Sequence, residues 1–319
     1  MNTFGNKFRF TSFGESHGAA IGGVIDGCPA GIQLDMQYIA QQLDRRAGRI
    51  DNLSGTSARA KNENDRIEWL SGIYNGTTLG SPIAFIIRNT DIRPDDYKEL
   101  EHIFRPAHAD ATYQAKYGIR DPRGGGRASA RETVSRVVAG CIATQLLKRQ
   151  GITIQARISQ IGDCQDPAQW RDYVAEIASQ GDSIGGILNC TIKGLPAGIG
   201  EPVFDKLQSR LAAAMLSING CKGFDYGTGF DKVGLKGSDA NKISGGILGG
   251  ISDGSDITFR CVFKPTPSIS LPQQAFDDQG QQVEISVKGR HDVCYVPRVL
   301  PVVEAMTAMT IEDLIENNG

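Results

Sequence analysis

A glycine-rich segment with three arginines is the strongest candidate for binding an anion in this sequence. It reads Arg123-Gly-Gly-Gly-Arg-Ala-Ser-Ala-Arg131 and runs directly into an apolar pattern of helical spacing. Free backbone N–H groups and the helix dipole favour negative charge at a helix N-terminus, and guanidinium groups bind phosphate and carboxylate through paired hydrogen bonds. The segment therefore predicts an anion site, although a structural turn followed by a capped helix would use the same residues. It lacks the Gly-Lys-Ser/Thr ending of a Walker A loop.

Two of the four histidines stand where proton transfer to a ligand is possible. His17 follows Ser16 in a Gly-Glu-Ser-His-Gly sequence, and His108 lies three residues after Arg105. Imidazole changes protonation near neutral pH, and a neighbouring arginine can hold an anionic ligand, so these positions suit general acid or base chemistry. Each could equally be a structural histidine, and His102 is given only that interpretation.

Three further segments carry charged residues next to conformationally restricted ones. Lys264-Pro-Thr-Pro-Ser268 places a cation and two hydroxyl groups on a loop stiffened by proline, which suits phosphate binding or a simple turn. Asp44-Arg-Arg46 ends an amphipathic segment, where basic residues also complement a helix dipole. Lys288-Gly-Arg-His-Asp292 brings an arginine, a histidine and an aspartate together, and it could equally be a solvated loop.

A helix must position the glycine-rich segment. Val134, Val137 and Cys141 begin an apolar face with a 3.6-residue period, and Gly151 is expected to end the helix. Ser129 and Glu132 have the spacing of a capping box, so Ser129 is the predicted N-cap. Apolar residues at helical spacing predict another helix over 302–317.

A repeated order of elements predicts the architecture. In each half a glycine-rich strand is followed by an amphipathic helix and then by an apolar strand. The segments lie at 22–27, 36–43 and 82–87 in the first half and at 185–190, 207–215 and 256–263 in the second. Neither half shows the regular strand–helix alternation of a doubly wound parallel sheet. We therefore predict an α+β sandwich of helices and antiparallel sheets, as a single domain over 1–319 with pseudo-repeat halves of about 1–150 and 151–319.

Composition excludes several classes of protein. The 319 residues include 40% hydrophobic residues, and 34 Lys and Arg against 36 Asp and Glu give a net charge of −2, which argues against disorder and against a globally basic nucleic-acid binder. The seven widely spaced cysteines suggest neither a disulfide framework nor a zinc site, so no metal is expected. Without an apolar signal core or an 18-residue apolar stretch, we expect a soluble cytoplasmic protein with no membrane partner.

The motifs, in this order, resemble those of the chorismate synthase family over nearly the whole chain. The resemblance rests on Gly14-Glu-Ser-His-Gly18, Arg105-Pro-Ala-His-Ala-Asp110, the run from Lys116 to Thr133, Ser217-Ile-Asn-Gly-Cys-Lys-Gly223, Gly245-Gly-Ile-Leu-Gly-Gly-Ile251, Lys264-Pro-Thr266 and Gly289-Arg-His-Asp292. It implies long helices between antiparallel sheets, a pseudo-two-fold core and a homotetramer.

The resemblance also implies the reaction. The family consists of carbon–oxygen lyases of the shikimate pathway of aromatic amino acid biosynthesis. They convert 5-enolpyruvylshikimate 3-phosphate to chorismate and phosphate by a 1,4-anti elimination. The reaction requires reduced FMN without net redox change, so an external flavin reductant is expected as a partner.

Site residues carry over from the family at the matching positions. The implied catalytic residues are His17, as acid for the departing phosphate, His108, beside the flavin, and Asp292, as proton relay. The implied substrate-binding residues are Ser16, Arg45, Arg46, Arg105 and Arg131. The implied FMN-binding residues are Arg127, Ala128, Ser129, Asn219, Gly220, Gly249, Lys264, Pro265, Thr266, Pro267, Ser268 and Arg290.

Two alternatives to a monofunctional chorismate synthase remain open. One is the bifunctional type with an intrinsic NADPH-dependent flavin reductase activity, although no dinucleotide fingerprint is present. The other is a flavin-binding or anion-binding protein without catalysis. This alternative is suggested by the segment after Arg46, which is longer and differently spaced than is usual in the family. In this segment either Arg49 or Arg59 could complete the anion site. The loops at 162–181 and 237–245 are also shorter than is usual in the family.

Overall fold

The computed structural model describes residues 1–50, 53, 65–90, 100–286 and 292–318. The helices in these ranges are α1 (Met36–Arg46), α2 (Asp110–Tyr117), α3 (Thr133–Arg149), α4 (Trp170–Ser179), α5 (Leu207–Leu216), α6 (Gly237–Ala240) and α7 (Val296–Asn318). Short 3-10 helices cover Gly126–Ala128, Ala130–Glu132 and Gly229–Gly234.

The strands in the same ranges are short and pair only in the antiparallel sense. They are β1 (Thr3–Phe4), β2 (Arg9–Phe13), β3 (Ala20–Asp26), β4 (Ile67–Ser71), β5 (Ile73–Tyr74), β6 (Thr77–Thr78), β7 (Ile83–Arg88), β8 (Ile103–Phe104), β9 (Thr153–Ile161), β10 (Gly186–Lys193), β11 (Cys221–Tyr226), β12 (Ile247–Leu248), β13 (Ile251–Ser252), β14 (Ile257–Phe263), β15 (Gln273–Asp277) and β16 (Gln282–Ile285).

Two larger sheets form the outer layers. The first has the order β1-β2-β3-β7-β4, and the second has the order β11-β14-β10-β9. In β14, residues alternate between buried and more exposed along the strand, as expected where one face of a sheet covers the core. The strands β2-β3-β7-β4 and β9-β10-β14-β11 are connected in the same order, with α1 and α5 at equivalent places in the chain.

The longest helices lie between the sheets. α3 packs against β2 and β3 of the first sheet, and α7 packs against β9 and β10 of the second, while α3 and α7 also pack against each other. Both are apolar almost all round, as expected for helices enclosed on every side. The hydroxyl groups of Thr307 and Thr310 donate to carbonyl oxygens one turn earlier in α7. These two buried hydroxyl groups are therefore hydrogen-bonded within the helix. The predicted α+β class, with helices between antiparallel sheets, is confirmed.

The predicted N-cap of α3 and the predicted start of α7 are wrong. α3 begins at Thr133, because Ser129 caps the preceding 3-10 turn by accepting a hydrogen bond from the Arg131 amide instead of forming a capping box. Glu132 bonds the Arg136 side chain instead. α7 begins at Val296, six residues before the predicted start, and it includes Pro301. The predicted end of α3 is confirmed, because Gly151 follows it with a positive φ of 79°.

Candidate active site

A cavity of about 470 Å³ opens between the two halves of the chain. Its wall combines the end of α1, the loop before α2, the glycine-rich segment, the residues after α5, the loop after β14 and the start of α7. Among the described residues, six Arg and Lys side chains and His108 line it against one acidic residue, Asp292; the six are Arg46, Arg105, Arg131, Lys222, Lys264 and Arg298. Such a wall favours a ligand with several negative charges.

Arg46 and Arg131 share a buried carboxylate. Asp65 accepts hydrogen bonds from both guanidinium groups, and its side chain is only 1% exposed. Arg46 also donates to the Thr133 hydroxyl group at 3.2 Å, and Arg131 donates to Asn89 at 3.1 Å. These contacts fix the two arginines in the cavity wall before any ligand binds.

Arg105 and His108 share a second buried carboxylate. Asp110, the first residue of α2, lies 2.8 Å from Arg105 Nε and 2.9 Å from His108 Nδ1. Burial opposes ionisation of Asp110, but the hydrogen bonds from His108 and Arg105 outweigh it and hold the pKa of this carboxyl group below its ordinary value. The two predicted site residues are thus held by one anion.

The glycine-rich segment forms one side of the cavity. Gly125 has a φ of +97°, and a Cβ atom there would lie 3.0 Å from His108 Nε2, so only glycine allows this approach. Ala128 and Ser129 line the cavity, and the Ala128 carbonyl group accepts a hydrogen bond from Asn219 Nδ2 at 2.9 Å. Asn219 Oδ1 is buried and has no hydrogen-bond partner among the described residues. This acceptor is available to a ligand N–H or O–H group.

The proline-containing loop forms another part of the cavity wall. Lys264, Pro265, Thr266, Pro267 and Ser268 all line the cavity. The Lys264 amide donates to the Gly220 carbonyl group at 3.0 Å, which joins this loop to the residues after α5. Burial, followed by the nearby charge of Lys222, lowers the pKa of Lys264.

Asp292 lies on the wall beside an arginine that the sequence analysis missed. Arg298 forms a hydrogen-bonded ion pair with Asp292 and donates to the Arg46 carbonyl group at 2.9 Å. Tyr295, which was also missed, contacts the cavity next to Gly220. Tyr295 directly precedes α7, and Arg298 lies in its first turn. A correct prediction of the helix start would therefore have placed both residues next to Asp292.

Ser16 and His17 lie behind the cavity wall. Each is 2% exposed, and the Ser16 hydroxyl group lies 3.2 Å from His17 Nδ1. A Cβ atom on Gly124, which lines the cavity, would lie 2.3 Å from His17 Nδ1. The imidazole is therefore separated from the cavity by the backbone of the glycine-rich segment.

Three other predicted site residues, which the structure describes, do not line this cavity. Arg45 bonds Glu304 of α7, and Arg127 donates to the Gly14 carbonyl group at 3.1 Å. Gly249 lies in the exposed turn between β12 and β13. Arg290 lies outside the described residues, as does Arg59.

The described ranges contain no cluster of three or more His, Cys, Asp or Glu side chains that could hold a metal ion. None of the helices in these ranges is long and apolar enough to cross a membrane.

The fold and the cavity define a helix–sheet sandwich with a cationic site for a small anionic ligand. The family model described as chorismate synthase matches residues 8–315. Chorismate synthase of Parabacteroides distasonis is 47% identical, with 99% of this chain and 98% of that protein aligned. Chorismate synthase of Porphyromonas gingivalis is 49% identical, with 98% and 95% aligned.

A solved structure described as a crystal structure of chorismate synthase has the same fold. It superimposes with a TM-score of 0.75 at 26% identity and covers 99% of this chain and 93% of its own. The chain belongs to the chorismate synthase family.

Proposed function

We propose that this protein catalyses the 1,4-anti elimination of phosphate from 5-enolpyruvylshikimate 3-phosphate to give chorismate. Within the family that the comparisons establish, the observation that carries the proposal is the cavity wall of six cationic side chains and one carboxylate. The substrate bears a phosphate and two carboxylate groups, and a cationic cavity binds such a ligand through charge-assisted hydrogen bonds.

Arg46, Arg105 and Arg131 are the proposed substrate-binding residues on the cavity wall. Each is buried, and each is already oriented by the Asp65 or Asp110 carboxylate. Prior orientation lowers the entropic cost of binding, because the side chains need not be ordered when the substrate arrives. Ser16 and Arg45, which the resemblance also assigns to the substrate, would act from behind this wall.

The residues that the resemblance assigns to FMN fit a flavin. The unpaired Asn219 Oδ1 can accept a hydrogen bond from a flavin ring N–H group, and Gly220 leaves room for Tyr295 in the cavity wall, because a Cβ atom there would collide with the Tyr295 hydroxyl group. Lys264 supplies a positive charge near the ligand. Bound reduced FMN would supply electron density to the substrate during the elimination without being consumed.

The proposed proton transfers involve three residues. His17 would donate a proton to the departing phosphate, His108 would protonate or stabilise the reduced flavin at its edge, and Asp292 would relay the proton lost from the substrate ring. Asp292 and His108 line the cavity, whereas His17 lies directly behind Gly124. Gly124 would therefore have to allow His17 access to the phosphate.

The remaining features of the proposal concern the whole protein. We propose a cytoplasmic homotetramer that obtains reduced flavin from an external reductant. We propose the monofunctional type, without NADPH-dependent reduction of its own flavin.

An anaerobic assay tests this function. Purified protein is mixed with photoreduced FMN and 5-enolpyruvylshikimate 3-phosphate, and phosphate and chorismate are followed together. We expect equal release of both products with reduced FMN and none with oxidised FMN. Flavin binding without product would contradict the proposal and favour a binding protein. Product formation driven by NADPH and oxidised FMN alone would indicate the bifunctional type.

The His17→Ala variant tests the proposed acid. Loss of a general acid is expected to lower kcat by about 10²-fold to 10⁴-fold. His102→Ala is the matched control, because the His102 side chain is 74% exposed and pairs only with Asp278 among the described residues. Full turnover by His17→Ala would exclude the assigned role.

A further inference from the structure

Asp110 is an acidic residue next to the cavity that the predicted site does not include. It is 4% exposed and lies behind both Arg105 and His108. Its Oδ2 atom accepts hydrogen bonds from the Arg105 amide at 3.1 Å and from Arg105 Nε at 2.8 Å. Its Oδ1 atom lies 2.9 Å from both Arg105 Nη2 and His108 Nδ1. One carboxylate thus contacts a proposed substrate arginine and a proposed catalytic histidine.

These contacts determine where the imidazole carries its proton. The pKa of Asp110 is held low, so the group is a carboxylate that only accepts hydrogen bonds. A short contact between this carboxylate and His108 Nδ1 requires a proton on Nδ1. Arg105 Nη2 also lies 3.2 Å from Nδ1 and has a second N–H group, but an unprotonated Nδ1 that accepted from it would still face the Asp110 carboxylate at 2.9 Å with lone pair against lone pair. Of the two possible tautomers, only the Nδ1–H form satisfies all three groups.

We propose that Asp110 is a positioning residue that keeps the His108 proton on Nδ1 and leaves Nε2 as the nitrogen available to a ligand in the cavity. It also holds the Arg105 guanidinium group in its plane beside the imidazole. This role deepens the proposed function and rests on it, because the ligand that meets Nε2 is taken to be the reacting complex.

A second neighbour also restricts the imidazole of His108. Gly125 lies next to the imidazole, since a Cβ atom added to it would come within 2.8 Å of His108 Cε1 and 3.0 Å of Nε2. Asp110 and Gly125 therefore both restrict the position of the ring. A 180° turn of the ring would put Cδ2 in the place of Nδ1 and lose the Asp110 contact, so the turned orientation is opposed.

The test is an NMR measurement on flavin-free and substrate-free protein labelled with ¹⁵N at histidine. His108→Gln identifies the His108 signals. In the wild type, at a pH where the ring is neutral, we expect the Nδ1 signal in the protonated range and the Nε2 signal in the unprotonated range. In Asp110→Asn we expect a mixture of tautomers, because the amide can accept or donate at the same place. The Nε2–H tautomer in the wild type would overturn the proposal, and this result needs no variant to fold.

The kinetic readout uses the same variants. Asp110→Asn is expected to lower kcat by about 10²-fold to 10⁴-fold, as observed when a histidine loses the carboxylate that fixes its tautomer. Asp110→Glu, which keeps the charge, should restore most of the Nδ1–H population. Wild-type tautomer and wild-type kcat in Asp110→Asn would refute the positioning role. If the wild-type protein shows the expected tautomer but no elimination, the proposed function fails while the positioning of His108 stands.

The chain provides a matched control pair. His102 Nδ1 lies 2.8 Å from Asp278 Oδ2, but both side chains are exposed and lie outside the cavity wall. Asp278→Asn should change only the His102 signals and leave kcat and the His108 signals unchanged. A loss of kcat in Asp278→Asn equal to that in Asp110→Asn would show that the effect is not specific to the cavity, and it would overturn the proposal.

Discussion

Asp65 and Asp110 neutralise arginines from behind the cavity, on the side away from the proposed ligand. Each carboxylate is buried and pairs with two groups of the proposed site. A cationic cavity without such partners would be destabilised by repulsion between its arginines and by their desolvation. The carboxylates therefore allow buried arginines to stay in place while the cavity still favours an anion.

Glu312 shows what happens to a buried carboxyl group without such partners. It is 1% exposed on α7, and its Oε2 atom has no hydrogen-bond partner among the described residues. The adjacent Asp313 is equally buried, but it accepts hydrogen bonds from the backbone N–H groups of residues 6, 7 and 8 and from the Arg210 side chain. Burial, followed by the charge of Glu316, raises the pKa of Glu312 from 4.5 to about 7.

This shift predicts a pH dependence of stability that Glu312→Gln should remove. Between pH 4.5 and about 7 the folded protein binds more protons at Glu312 than the unfolded chain does, so the free energy of unfolding falls as pH rises through this window. The shift corresponds to a loss of about 3 kcal/mol. Urea unfolding at pH 5 and pH 8 should therefore show a smaller decrease in Glu312→Gln than in the wild type.

The comparison of pH slopes is controlled by Glu316→Gln. Glu316 is exposed and contributes only the second cause of the shift, so its removal should change the slope much less. The difference between variant and wild type is the quantity to compare, because the histidines titrate in both proteins. Equal slopes in the wild type and Glu312→Gln would show that Glu312 ionises normally in the folded state.

At the level of elements, the packing of α3 against α7 depends on one small residue. Gly140 faces Ala305, and a Cβ atom on Gly140 would lie 2.2 Å from the Ala305 Cβ atom and 2.3 Å from its Cα atom. The obstruction is partly backbone, so a side-chain rotation cannot relieve it. Any larger residue must push the two helices apart, and both sheets pack on this pair.

Gly140→Ala is accordingly expected to destabilise the protein in spite of the better helix propensity of alanine. The intrinsic gain is at most about 1 kcal/mol, whereas overpacking costs about 1–3 kcal/mol and more when the backbone must move. We expect a net loss of at least about 2 kcal/mol in urea unfolding. Gly237→Ala is the control at a helical glycine with no atom within 4 Å of the added Cβ, and it should be neutral or slightly stabilising. Similar effects of the two substitutions would contradict the packing argument.

The elements that could be predicted from the sequence are those with a regular apolar period. α1 and α5 follow such a period, and β10 and β14 carry alternating apolar residues. In α3 the predicted apolar positions are buried, but so are residues between them, because the helix is enclosed. The helix starts could not be predicted this way. The first two turns of α7 contain Pro297 and Pro301, whose ring-restricted φ suits a helix but whose missing N–H groups give no helical signal.

The same limit applies to the site. Motif residues such as Arg105, His108 and Lys264 do line one cavity, but Arg298 was missed because it lies in that unpredicted first turn. Pairings between distant residues were also inaccessible. Arg45 bonds Glu304, and Asp65 joins Arg46 to Arg131, and neither spacing in the sequence indicates a contact.

At the scale of the whole molecule, the two halves of the chain share one hydrophobic core. Buried residues from both halves, including Phe8, Ile142, Ile192 and Val303, belong to a single cluster. Asp313 of α7 also accepts hydrogen bonds from the chain's first loop, so the last helix secures the N-terminal sheet. Neither sheet can lose α7 or α3 without exposing its apolar face.

This shared core predicts that the halves unfold together, and the two tryptophans allow a direct test. Trp69 lies in β4 of the first sheet and packs against Phe85, with ring centroids 5.7 Å apart. Trp170 begins α4 in the second half and donates to the Cys164 carbonyl group at 3.1 Å. Trp69→Phe and Trp170→Phe each leave one fluorescent reporter. At a fixed protein concentration, the fluorescence and circular dichroism midpoints in urea should coincide within each variant.

Separate midpoints would mean that each sheet unfolds with its own helices, and the conclusion that the halves share one core across α3 and α7 would then be wrong.

Coincident midpoints have a consequence for the cavity, since its wall takes Arg46 and Arg131 from the first half and Asn219 and Lys264 from the second. If the halves unfold as one unit, a ligand bound between them stabilises both against unfolding. Inorganic phosphate at a saturating concentration should then raise both fluorescence midpoints equally.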